Sequence, residues 1–392
     1  MTKRQCYSCL LCLTLAAFLV SGLAMAEDGK MLKFEKIRIG TVTYEACSVC
    51  DVNKDGVLDI VSGEYWFEGP DFKNVHKICT LAQQGDYYDD FSDFPLDVNG
   101  NGYLDIVSGG WWGAKLQWRE NPAGNYDKEW VVHDIAETGN VERGCYWDID
   151  GDGYVEAVPN CPGKPFQVYK LARDAGGKPL GRFDKFIIAE GRAQGHGLGC
   201  GDVAGNGRAD IISDKGWLEA PEKPFEQEWV WHADFDLGSA SVPVLVHDVN
   251  GDGLNDIIVG QGHAYGLAWW EQKKDGDGKR SWIKHDIDTE CSQYHDLRLV
   301  DIDNDGQVEL ITGKRYRAHQ GHDPGADDPI GLYYFKMDGG KFERCTIDYG
   351  PAGEASGAGI YFWVEDLDGN GWKDIVAPGK EGLYLFKNLG LK

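Results

Sequence analysis

The chain has 392 residues, of which 26% are charged and 42% hydrophobic, and it carries a formal net charge of −25. That acidity argues against nucleic acid or an anionic membrane as a partner. Beyond the N-terminal leader no apolar run is long enough to span a bilayer, so membrane insertion is not expected.

Residues 1–26 read as a secretory signal. Lys3 and Arg4 precede an apolar run from Leu10 to Val20, and Ala24-Met-Ala26 supplies a small-residue cleavage site. The expectation is a soluble product, secreted or periplasmic, that starts near Glu27. Of the eleven cysteines, Cys6, Cys9 and Cys12 leave with the leader. The other eight could pair in an oxidising compartment, but spacing does not say how. Cys47, Cys50, Cys145 and Cys200 each lie just ahead of an acidic loop, which suits small buried side chains.

The stretch Lys33-Phe-Glu-Lys-Ile-Arg-Ile39 is a lone strand that matches Lys341-Phe-Glu-Arg-Cys-Thr-Ile347 far along the chain. Beyond the first of these an acidic nonapeptide recurs seven times, at 51–59, 97–105, 148–156, 202–210, 248–256, 301–309 and 366–374. A period of about fifty residues marks one supersecondary unit repeated, so 27–392 is expected to form a single domain. Oxygen-bearing side chains fall at positions 1, 3, 5 and 9, with Gly at 6 for the sharp turn. This is an oxygen-only set suited to a hard cation of the size of calcium.

The first loop offers Asp51, Asn53, Asp55 and Asp59, and the second Asp97, Asn99, Asn101 and Asp105. The third offers Asp148, Asp150, Asp152 and Glu156. The fourth has only Asp202, Asn206 and Asp210, because Ala204 removes the third-position ligand, so this site should be weak or empty. The fifth presents Asp248, Asn250, Asp252 and Asp256, and the sixth Asp301, Asp303, Asp305 and Glu309. The last carries Asp366, Asp368, Asn370 and Asp374. Packed carboxylates repel unless cations lie between them, so up to seven structural ions account for the acidity. An EF-hand also needs an acid at position 12 and flanking helices. Position 12 is Ser62, Ser108, Pro159, Ser213, Val259, Thr312 or Ala377, and the flanks are short β-branched runs.

Each loop leads into a second strand, then an aromatic third strand such as Tyr65-Trp-Phe67, then a fourth such as Glu129-Trp-Val-Val-His133. Four antiparallel strands per unit, seven times, predict an all-β, seven-bladed β-propeller. The seventh unit lacks a fourth strand, so the N-terminal strand is expected to complete it and close the ring.

The first strand of a blade runs toward its loop, so its start and the turn between strands two and three share the opposite face. His196 and His295 are each six residues ahead of a loop Asp, and Glu45 and Glu142 hold the same place in two other blades. His263, His319 and His322 lie in the turns of blades five and six, beside Lys314, Arg315 and Tyr316; Lys215 and Lys380 lie in the equivalent turns of blades four and seven. By contrast His76, His133, His232 and His285 fall in fourth strands at the rim. Three imidazoles suit zinc or another transition metal with an open position. Alternatively one histidine acts as general base, with Lys314 or Arg315 stabilising negative charge.

The loops resemble the FG-GAP and VCBS repeats of calcium-bearing propellers. GHGLGCGDV, GQGHAYGLAWWEQ, SQYHDLRLVDID and GKRYRAHQGHDPGADDP resemble the propeller domain of the aldos-2-ulose dehydratase family, which eliminates water from keto-sugars with a metal in the channel. That resemblance implies His196, His263, His295, His319 and His322 as ligands or acid–base groups, and Tyr316, Trp217 and Trp270 as stacking platforms for a sugar. Two readings stand. One is a lyase or dehydratase acting on keto-sugars or oxidised glycosides. The other is a non-catalytic propeller, integrin-like in its repeats, that binds a glycan or a protein partner.

Overall fold

The computed structural model describes residues 31–392, so the leader expected at 1–26, with Cys6, Cys9 and Cys12, lies outside the described residues. Seven four-stranded antiparallel sheets follow one another. Blade one comprises Ser48–Cys50, Asp59–Ser62, Tyr65–Glu68 and Asn74–Lys77, and the plan repeats to blade six, Tyr294–Val300, Glu309–Lys314, Ile330–Asp338 and Lys341–Gly350. Blade seven takes Trp363–Glu365, Asp374–Ala377 and Leu383–Leu391 from the C-terminal end and Leu32–Gly40 from the N-terminal end. Ile37 sits opposite Leu385, as the matching lone strand led one to expect. Among the described residues no helix is long and apolar enough to cross a membrane.

The core lies between neighbouring blades. Ile311, Leu332 and Tyr334 of blade six pack against Ile375, Tyr384 and Phe386 of blade seven, with Leu32 of the closing strand. At ~1.5–3 kcal/mol per fully buried large side chain, these seams bind the sheets into one ring. All eight described cysteines are unpaired and none is exposed, which agrees with the small-buried-residue reading and realises no disulfide.

Each acidic loop is folded by its own carboxylates. In blade one the backbone N–H of Asp55 donates to Asp51 Oδ1 at 3.1 Å and that of Gly56 to Asp51 Oδ2 at 3.0 Å. The ninth-position Asp59 is fully buried and accepts from Val52 N–H at 2.9 Å and from Gly69 N–H at 2.8 Å, tying loop to third strand. Gly56 has φ 85°, a left-handed conformation that the turn demands and other residues resist.

Two features had no sequence signal strong enough to anticipate. A hairpin, Gln83–Gln84 with Tyr87–Tyr88, sits between blades one and two. In the blade-six turn Arg317, His319 and Gln320 all have positive φ, of 54°, 48° and 57°. Such conformations cost ~1–2 kcal/mol per non-glycine residue and gather at functional sites.

Candidate functional site

Glu142 stands one residue ahead of the first strand of blade three, Arg143–Trp147, and His196 two ahead of that of blade four, Leu198–Gly201. His295 lies within the first strand of blade six, Tyr294–Val300, and His263 in the turn between Asp256–Gly260 and Tyr265–Lys274. Four blades thus deliver one carboxylate and three imidazoles to one place. One ligand atom from each lies within 4.8 Å of all the others.

Hydrogen bonds fix the tautomers. His196 Nδ1 is 2.7 Å from the Ala240 carbonyl oxygen, which can only accept, so Nδ1 carries the hydrogen. His263 Nδ1 likewise donates to Asp323 Oδ2 at 2.7 Å. In the neutral rings both Nε2 atoms therefore present lone pairs, and they face each other at 2.9 Å. Glu142 Oε1 lies 3.0 Å from His295 Nε2, 3.4 Å from His196 Nε2 and 4.0 Å from His263 Nε2. Lone pairs converging at such distances repel unless a cation, either a proton or a metal, lies among them.

The electrostatics agree. Burial pushes the Glu142 carboxyl up, but hydrogen bonds from His196 and His295 outweigh it and hold it well below the usual range. Burial pulls His196 down, but the Glu142 carboxylate raises it overall. Burial and the Arg315 guanidinium hold His295 well below the ordinary histidine value, and burial lowers His263 too. Two of the three rings are thus kept neutral, the form that binds metal. His295 Nδ1 is buried without a partner.

A second layer holds this set in place. Arg315 is buried, with Nε donating to Glu45 Oε1 at 3.0 Å and Nη1 to Glu142 Oε1 at 3.5 Å. His319 stacks on His263 at 4.3 Å between ring centroids, and its Nδ1 donates to the other oxygen of Asp323 at 2.8 Å. One carboxylate thus orients a buried imidazole and an exposed one. On the far side of Arg315 stand Tyr87 and Phe91, with Trp112 tilted against both at 5.4 and 5.9 Å. Lys380 caps the Tyr87 ring at 3.5 Å and approaches Glu45 Oε2 at 3.9 Å.

His196, His263, His295, Glu142, Glu45, Arg315 and His319 are therefore brought together. His322 is exposed and stands outside the cluster, because the left-handed residues of the turn set His319 over the His263 ring and leave His322 beyond it. Lys314 also leaves the face. Strand alternation points it away from Arg315, and its ammonium donates to Ser292 Oγ at 2.8 Å beside a separate cavity of about 250 Å³ lined by Tyr333, Arg344 and Tyr349. Tyr316 is half-buried nearby. Trp217 is fully buried, stacked on His232 with its indole N–H on Asp234, so it offers no platform to a sugar. Trp270 is half-buried among core residues between blades four and five. Lys215 is exposed and pairs with Asp236. Asp323, Tyr87, Phe91 and Trp112 were missed; the only hint of Asp323 was its place beside His322.

At the opposite end of the same first strands, carboxylates of loop positions 1, 3 and 9 converge in blades three, six and seven: Asp148, Asp150 and Glu156; Asp301, Asp303 and Glu309; Asp366, Asp368 and Asp374. Asp150 Oδ1 and Asp301 Oδ1 are buried without a hydrogen-bond partner, whereas Glu156 Oε1 lies 3.2 Å from Lys170 Nζ. Burial, with neighbouring carboxylates adding to it, pushes Asp59, Asp105, Asp210, Asp256 and Asp374 up to about 6 and Glu309 up to about 7. A lysine ammonium caps the third-position carboxylate in each of the loops of blades three, six and seven, Lys170, Lys336 and Lys387, and the crowded oxygens left beside it are the kind that a hard divalent cation takes.

No curated protein matches the chain. Solved structures of similar shape include a rhamnogalacturonan lyase, at 14% identity and a TM-score of 0.47 over 90% of this chain and 72% of that one. The biofilm matrix protein Bap1 of V. cholerae matches at 12% identity and 0.43, over 89% and 88%. An auxiliary nutrient binding protein from Bacteroides thetaiotaomicron matches at 11% and 0.41, over 80% and 76%. Residues 248–312 match the FG-GAP-like repeat, a segment that spans the loops at Asp248 and Asp301. The chain is a seven-bladed β-propeller that carries FG-GAP-like repeat sequence.

Proposed function

We propose that the histidine face is a divalent transition-metal centre serving a carbon–oxygen lyase that acts on a sugar bearing a carbonyl group. We propose further that the loops of the other face hold calcium, and that the chain is exported. The observation that carries the first reading is the pair of Nε2 lone pairs 2.9 Å apart beside Glu142. Each ring is fixed by a hydrogen bond at its far nitrogen, as in metal sites where a carbonyl or carboxylate orients the ligand.

Glu142, His196, His263 and His295 would hold the divalent ion, which when bound would supply a Lewis acid for a carbonyl oxygen. A C–H beside a carbonyl is acidic enough for an imidazole to take its proton. His319 is the residue to remove that proton, since its Nδ1 is held by Asp323 and its ring is largely exposed. The C–H pair becomes the new C=C bond, the β-oxygen leaves with its bonding electrons, and the imidazolium of His319 returns the proton to it. Arg315 fixes Glu142 and Glu45, and the Tyr87–Phe91–Trp112 wall offers aromatic faces of the kind on which sugar rings stack.

The test is metal analysis of the purified protein together with an assay for an unsaturated product from keto-sugars. The expected result is one transition-metal equivalent besides calcium, and turnover lost in His319→Ala with the metal retained. A protein that holds calcium alone overturns the metal centre. One that holds the metal and retains sugars without converting them supports the binding-module reading instead.

A further inference from the structure

The seven blades fall into two kinds. In every blade the residue just past the acidic nonapeptide pairs with a third-strand residue: Ile60 with Phe67, Ile106 with Arg119, Ala157 with Tyr169, Ile211 with Leu218, Ile257 with Trp270, Leu310 with Phe335, Ile375 with Phe386. The next third-strand residue therefore occupies the same place seven times. It is Glu68, Glu120, Glu219 and Glu271 in blades one, two, four and five, and Lys170, Lys336 and Lys387 in blades three, six and seven. The third loop position changes in step: Asn53, Asn99, Ala204 and Asn250 accompany glutamate, whereas Asp150, Asp303 and Asp368 accompany lysine.

The contacts explain the match. Asn99 Nδ2 donates to Glu120 Oε1 at 3.0 Å and Asn250 Nδ2 to Glu271 Oε1 at 2.8 Å. Lys170 Nζ donates to Asp150 Oδ2 at 2.6 Å, Lys387 Nζ meets Asp368 Oδ2 at 2.6 Å, and Lys336 bonds Asp303 Oδ2. The other end of the same side chain faces into its loop: Asn99 Oδ1 accepts from Asn101 N–H at 3.0 Å, and Asp368 Oδ1 from Asn370 N–H at 3.1 Å. An asparagine turned this way shows an N–H outward and an aspartate shows an oxygen, and the third strand supplies the opposite group. Blades one and four depart: Asn53 bonds Asp55 while Glu68 holds Asn74, and Ala204 offers Glu219 no polar side-chain atom.

The glutamates are themselves fixed. Their second oxygens meet the Nε2 of rim histidines at 2.7 Å for Glu120–His133, 2.9 Å for Glu219–His232 and 3.0 Å for Glu271–His285, and each imidazole stacks on a tryptophan two residues before the glutamate. In the lysine blades the corresponding rim residues are Phe186, Cys345 and Ile37.

We infer that Glu120, Glu271, Lys170, Lys336 and Lys387 are positioning residues for the loop cations: each holds the outer atom of the third loop side chain so that its inner oxygen points at the ion. This rests on the calcium reading of the loops. It makes a forecast opposite to ligand counting. Asn99→Asp adds a carboxylate to a loop that has only two acids among its ligands, yet it sets that carboxylate against Glu120.

In the full chain, calcium titration followed by hydrogen exchange of the peptide spanning 97–105 reads this loop alone. The expected result is about tenfold or more weaker calcium protection in N99D, with recovery in N99D/E120Q, whose glutamine donates to the new carboxylate and still accepts from His133. Protection in N99D equal to or stronger than wild type, or no recovery in the double variant, overturns the inference and leaves the calcium reading standing. Absence of calcium protection at every loop of the wild type overturns both. If N99D does not fold, D303N against D303N/K336E at loop 301–309 gives the same comparison.

Discussion

At Glu142 three imidazoles and a guanidinium approach one carboxylate oxygen, yet the residue that decides whether the set works is Asp323, which touches neither Glu142 nor His295. It holds His263 in the tautomer that turns a lone pair inward, and it holds His319 over that ring. Asp323→Asn is therefore expected to weaken metal binding by about 10–100-fold without unfolding the chain, as read by competition with a chelating dye. His196 and His295 were legible because the loops act as rulers, with each histidine six residues ahead of a loop Asp. Asp323 was not, because its position depends on three left-handed residues in a turn for which hydrophobic periodicity carries no signal. A second residue-scale forecast concerns Glu381, which is buried and accepts from Gly357 N–H and Ser356 Oγ. Burial raises its carboxyl to about 7 from 4.5. The folded chain thus keeps a proton that the unfolded chain releases between these values, and stability falls as pH rises through that window at up to ~1.4 kcal/mol per pH unit. In Glu381→Gln this component of the slope disappears, so urea unfolding of wild type and variant, both saturated with calcium, should diverge from pH 4.5 to 7 in favour of the variant.

Among the elements, the strand Leu32–Gly40 carries more than its length suggests. Leu32, Phe34, Ile37 and Ile39 pack into the seams on both sides of blade seven. At roughly 1.5–3 kcal/mol for a fully buried side chain such as Leu32, and less for the half-buried Phe34, Ile37 and Ile39, their loss is a large fraction of the ~5–15 kcal/mol that holds a typical domain folded. Deleting 31–39 is expected to lower the melting temperature sharply even with calcium bound, and to increase the hydrodynamic radius; an unchanged melting temperature rejects the closure. This element was legible because its sequence nearly duplicates a complete fourth strand. The hairpin at 83–88 was not, since two-residue strands leave too short a pattern to separate from loop, and with it went Tyr87 and Phe91 of the aromatic wall. Trp217 misled for a related reason: a tryptophan beside a turn suits a ligand platform, but here it serves the stack on His232 that recurs in four blades.

The whole molecule carries a formal net charge of −25, with much of its acid held in the seven loops. A cation that binds only the folded ring stabilises it by ~2.7 kcal/mol per site at a hundredfold excess over Kd. Removing calcium with a chelator should lower the melting temperature by the sum over occupied loops, and calcium should restore it at concentrations where magnesium, which demands a tighter octahedron, does not. Fold and loops were legible together because both follow from one repeated period. The grouping of the histidine face was legible only in outline, because it is assembled by side chains from four different repeats, and no single repeat contains it.

The closing strand also bears on how the molecule is made. Residues 32–40 leave the ribosome before any blade is complete and pair with 383–391, which follow six blades later. Early blades can zip locally as they emerge, but the ring stays open until 383–391 have been made. Contacts of such long sequence separation form slowly. The nascent protein is therefore at greatest risk of edge-to-edge association with its neighbours just before the final strand arrives.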